Sequence, residues 1–82
     1  MIYRIARLKN HFIICYHNDY TIQLSQQFRE AHIPFVVVDL NADLEEIAQK
    51  YHYPLFINED PHTEIAMLKC HLSSARGVIA LS

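Results

Sequence analysis

Glycine is almost absent: the 82-residue chain has one, Gly77. A loop that cradles phosphate with backbone N–H groups depends on glycine, which leaves room for the ligand and reaches left-handed backbone angles without steric cost. The single glycine excludes such a loop elsewhere in the chain. Long apolar runs are missing too. None approaches the roughly 20 residues a membrane-spanning helix needs, and the N-terminus lacks the long apolar core of a signal peptide. Lysine and arginine are few and scattered, seven against nine acidic residues, for a formal charge of −2 and a pI near 6.3. That balance argues against nucleic acid and gives no hold on a membrane surface. Two cysteines, Cys15 and Cys70, have neither C-x-x-C spacing nor the density of a secreted scaffold, so a reduced, cytosolic setting is expected. The six histidines, His11, His17, His32, His52, His62 and His71, show no zinc-ligand spacing and read as dispersed surface imidazoles, with no metal site expected.

What is present is a generous apolar content of 51%, enough for one small domain with a parallel sheet buried on both faces. Any surplus favours a partner surface. The organising stretch runs from His11 to Asp39. His11-Phe12-Ile13-Ile14-Cys15 suits a buried strand, and Tyr16-His17-Asn18-Asp19 a turn. Tyr20, Leu24, Phe28 and Ala31 then recur at helical spacing, a stripe expected to be core rather than a binding face. The helix is expected to start near Asn18 or Asp19, either able to cap it, and to stop before Pro34. Pro34-Phe35-Val36-Val37-Val38 is a second strand closing on Asp39, so the whole has the length of a parallel βαβ unit, about 30 residues.

Asn41 can cap a second helix with Leu44, Ile47, Ala48 and Tyr51 on one face and Glu45 and Glu46 where the helix dipole favours negative charge. Pro54 to Ile57 is a short third strand. Pro61 suits the first turn of a third helix whose Ile65, Leu68 and Leu72 turn inward. Ser73, Ser74 and Gly77 break the chain before a fourth strand, Val78 to Leu81. Residues 1–10 read as a lead-in linker and residues 11–82 as the domain. The alternation predicts an α/β, Rossmann-like parallel sheet in order 3-2-1-4, in three αβα layers. The fourth strand would leave a bare apolar edge, so the fold reads as truncated and part of a longer protein.

In dinucleotide-binding folds an acidic residue ending the second strand bonds a ribose hydroxyl, and Asp39 stands there. The same residue also serves as a turn or cap ahead of Asn41. The G-x-G-x-x-G turn is lost, with Tyr16, Asn18 and Thr21 at its three positions. Asn18 can partly substitute through left-handed geometry, but Tyr16 and Thr21 add side chains where phosphate or strand backbone should sit. Glu59, Asp60, His62 and Glu64 crowd the exit of the third strand, which suits either a hard cation or ordinary helix N-terminal acids. Cys15 reads as a buried structural residue. Cys15 and His17 lack an orienting third group, so no catalytic constellation and no enzyme activity are expected.

HFIIC at His11–Cys15, IPFVVVD at Ile33–Asp39, the acidic pair after the third strand and ARGVIALS at Ala75–Ser82 together resemble the N-terminal lobe of RCK domains. These are regulators of potassium conductance, related to Trk-type potassium uptake subunits. The resemblance covers about residues 9 to 82. It implies a cytoplasmic regulatory module of an inner-membrane potassium channel or transport protein. Its implied partners are a second copy, as a dimer or gating ring, and a pore domain of the same protein, through which alone it would meet the membrane. Members with intact glycines bind NAD or ATP. Here Asn58-Glu59-Asp60-Pro61 replaces the usual Gly-Asp pair, so Tyr16, Asn18, Asp39, Asn58 and Glu59 make a degenerate site with no cofactor expected. The alternatives are a nucleotide-binding sensor or dehydrogenase remnant, and an unrelated flavodoxin-like interaction domain.

Overall fold

The computed structural model describes residues 7 to 81. Its elements are β1 (Phe12–Cys15), α1 (Asp19–Glu30), β2 (Phe35–Val38), α2 (Leu44–Tyr51), β3 (Phe56–Ile57), α3 (Glu64–Lys69), a 3-10 turn (Leu72–Ser74) and β4 (Gly77–Ala80). The strands form one parallel sheet in order β3-β2-β1-β4, as the alternation predicts. Of the expected lead-in, residues 1–6 lie outside the described residues, and residues 7–10 form no helix.

Side chains alternate across a strand, so the two apolar runs divide between two cores. Ile14, Phe35 and Val37 pack with Leu44 and Ala48 of α2, and with Leu24 and Phe28 of α1, on one face. Ile13, Cys15, Val36 and Val38 pack with Ala66 of α3 and with Cys70 on the other. Three αβα layers result. Tilted and edge-on ring contacts, Phe12 to Phe28 at 5.2 Å and Phe28 to Phe35 at 5.8 Å, seal α1 against the sheet.

The inward stripes differ from expectation in two helices. In α1 the fully buried residues are Thr21 and Ser25, while Tyr20 is 68% exposed and Ala31 lies on the surface past the helix end. The helix sits close over the first turn, where small side chains fit and a tyrosine does not. Along α3 and just past its end the inward residues are Ala66 and Cys70, while Ile65 and Leu68, with Leu72 of the following 3-10 turn, face out. The helix also starts later than Pro61. Thr63 caps it, its hydroxyl oxygen accepting from Ala66 N–H at 3.2 Å and its proton going to Asp60 O. For α2, Asn41 shapes the preceding turn by accepting from Asp43 N–H at 2.8 Å, and the cap position itself is Asp43. β3 is confined to Phe56 and Ile57.

The histidines are not all surface groups. His11 has no exposure, while His17 and His71 are half-buried.

Candidate functional site

The carboxyl ends of parallel strands converge on one edge of the sheet, where such folds place their ligand crevice. Here that edge gathers Tyr16, His17 and Asn18 after β1, Asp39 and Asn41 after β2, Asn58 to His62 after β3, and Leu81 after β4.

Each polar side chain predicted for the crevice is bonded within the chain. Asn18 is extended, with φ −162°, rather than left-handed; it caps α1 by accepting from Thr21 N–H, and its amide donates to Leu81 O at 2.6 Å. Thr21, at the third glycine position, is buried and its hydroxyl donates to Tyr16 O. The close approach of helix to strand that glycine usually permits is met here by a hydroxyl bonding the strand exit.

Asp39 uses both carboxylate oxygens. Oδ2 accepts from His17 N–H at 2.8 Å, and Oδ1 from Asn41 N–H at 2.9 Å. The turn role is thus present, and it also bridges the exits of β1 and β2. Asn58 donates its amide to Asp39 O at 2.8 Å and Asn41 O at 2.9 Å, fastening the exit of β3 to that of β2.

Tyr16 crosses the crevice to the loop after β3, where its hydroxyl lies 2.6 Å from His62 Nε2. Desolvation, helped by the charges of Asp60 and Asp39, raises the Tyr16 hydroxyl above its ordinary value. It stays protonated and donates to His62 when that ring is neutral. His62 N–H in turn donates to Asp60 Oδ1 at 2.9 Å, and Glu59 pairs with Lys69 at 2.6 Å. The acidic run after β3 therefore shapes its own loop and anchors α3. Among the described residues, no group of three or more histidine, cysteine or acidic side chains could hold a metal ion.

Sequence reading did not anticipate the roles of His17, Tyr53 and His62. His17 Nδ1 lies 2.7 Å from the Tyr53 hydroxyl, beside the Tyr51 ring at 5.3 Å. Burial, with the neighbouring Tyr51 next, pushes the Tyr53 hydroxyl up to about 12. The one signal available was topological: residues just after parallel strands meet, however distant in sequence. Cys15 and Cys70 are buried free thiols, both raised by burial, Cys70 to about 12, so neither offers a thiolate near neutral pH.

A parallel sheet ordered 3-2-1-4, covered on both faces and carrying its polar residues at the strand exits, defines a Rossmann-type α/β unit. Residues 12–82 match the TrkA-N domain, and the chain belongs to that family. The resemblance to RCK and Trk-type domains carried by HFIIC and ARGVIALS holds. Among curated proteins it is 35% identical over 79 residues, 94% of this chain, to probable potassium channel protein 2 of Methanocaldococcus jannaschii. It is 30% identical over 82 residues, 99% of this chain, to potassium channel protein 1 of the same organism. The chain spans 23% and 25% of the lengths of these relatives. No solved structure matches it significantly.

Proposed function

We propose that the chain is a non-catalytic regulatory and assembly domain of a potassium channel or potassium transport protein, with a crevice filled by its own side chains in place of a dinucleotide. The TrkA-N match, with two relatives named as potassium channel proteins, carries the first half of this reading. The second half rests on Asp39, whose carboxylate bonds two backbone N–H groups where a ribose hydroxyl would otherwise approach. Its partners in this reading are a second copy of the domain and a pore unit. Among the described residues no helix is long and apolar enough to cross a membrane, so contact with the bilayer would come through that pore unit.

A thermal scan with NAD, NADH or ATP at millimolar concentration tests the crevice. A ligand at 100 times its Kd stabilises by about 2.7 kcal/mol, well within reach of a scan. No shift is expected with any of the three, and a clear shift with one would favour the nucleotide-sensor reading, for which the position of Asp39 speaks. The potassium reading is tested by placing this chain in the corresponding position of either relative and measuring potassium uptake in a transport-deficient host. Uptake that fails with this chain but proceeds with the native segment would count against it.

A further inference from the structure

The segment entering β1 is fastened to the far end of α3 by contacts that a plain linker does not need. His11 is fully buried, and its Nε2 lies 2.6 Å from Cys70 O. A carbonyl only accepts, so Nε2 carries a proton, and the buried Nδ1 has no hydrogen-bond partner among the described residues. His71, the next residue after Cys70, reaches back: its Nδ1 donates to Leu8 O at 2.8 Å. Two backbone bonds close the same seam, Asn10 N–H to Ser74 O at 2.8 Å and Arg76 N–H to His11 O at 2.7 Å. Asn10 and His71 both hold left-handed backbone, with φ of 59° and 56°. Non-glycine residues keep such angles only where their surroundings over-determine them. Strained backbone therefore sits on both sides of a seam closed by two ring-to-carbonyl bonds running in opposite directions.

We propose that Leu8–His11 is a coupling strap, held to the C-terminal end of α3 by this reciprocal histidine clamp, so that the strap and α3 move together. The opposite end of α3 follows Thr63, next to the His62 that bonds Tyr16 across the crevice. One short helix thus joins the strap to the crevice mouth. The purpose of the device rests on the regulatory reading above: a displacement of the chain entering the domain is delivered to α3 as well as to β1, and a change at the crevice returns along the same path.

Amide hydrogen exchange on the 82-residue chain, without nucleotide or potassium, tests the clamp separately from that reading. His71→Gly keeps the left-handed backbone and removes the ring, so the fold is retained. The amides of Asn10 and Arg76, which bond Ser74 O and His11 O across the seam, are expected to exchange at least about tenfold faster, and those of Cys70 and His71 to accelerate by a similar factor, while Val37 and Asp39, bonded to Leu55 O and Ile57 O, stay within about twofold. His11→Leu, which fills the buried site without a donor, should give the same pattern. Acceleration confined to the lead-in, a uniform change across the sheet, or no change in His71→Gly would each overturn the coupling. Failure of the potassium test would leave a positive exchange result standing.

Discussion

His32, His52 and His71 take left-handed backbone, with φ of 58°, 62° and 56°, at the ends of α1, α2 and α3. Glycine commonly occupies such positions, so three of the six histidines stand where the backbone would suit a glycine. The strain should be measurable. His52 is exposed, and His52→Gly is expected to stabilise by about 0.5–1 kcal/mol in a urea titration, with His52→Val destabilising. A second residue-scale expectation concerns alkali. Cys70 and Tyr53 rise from ordinary values of 9.0 and 10.0 to about 12, mainly through burial. The folded chain thus holds protons that the unfolded chain has already released. Their contribution to stability is complete below about pH 9 and is lost as pH rises towards 12. Denaturation midpoints should fall over that window, and fall less in Cys70→Ala. Neither feature was legible beforehand, because letters report a histidine or a cysteine but not its backbone angle or its depth.

At the scale of elements, the strands and the inward face of α2 were legible, and the inward faces of α1 and α3 were not. Four-residue apolar runs such as Phe35–Val38 have no polar side to present, so a sheet covered on both faces is their natural setting. Ile65, Leu68 and Leu72 also form a true helical stripe, yet Ala66 and Cys70 form another, and the sheet accepts the smaller pair. Available space, which sequence does not display, decides between them. The same reasoning applies to the turn after β1, where the loss of glycine was readable but its replacement by a closed set of bonds was not. Asp39→Ala leaves the N–H groups of His17 and Asn41 without their carboxylate and should cost about 1–3 kcal/mol by chemical denaturation. Replacing Tyr16, Asn18 and Thr21 together by glycine removes the α1 cap and the Thr21 hydroxyl bond. Calorimetry is expected to show lower stability with no NAD binding, because Asp39 still bonds its two N–H groups; measurable affinity would show that the turn alone was the obstacle.

For the molecule as a whole, the exposed apolar groups of α3, the 3-10 turn and β4 share one side, apart from Tyr20 and Leu40 elsewhere. Ile65, Leu68 and Leu72 are 59%, 77% and 45% exposed. Leu68 and Leu72 line a groove with Met67 and Pro61. Val78 of β4, 46% exposed, is in register with Ile13 and so points to the α3 face of the sheet. Among the described residues β4 pairs only with β1, which leaves its other side beside them. Light scattering should show the chain self-associating at micromolar concentration, with Leu68→Glu shifting it towards monomer; a clean monomer at high concentration would remove the physical support for assembly. The order of the strands also sets a timetable. β1 can pair with β2 as soon as Phe35 to Val38 leave the ribosome, but its other neighbour, Gly77 to Ala80, is made much later. In the interval the central strand has one open flank, and closing it demands a long-range parallel pairing of the slow kind. Refolding should therefore show a late phase that mutations in β4, such as Ile79→Val, slow more than mutations in α2, and the nascent chain is most open to mispairing between those two moments.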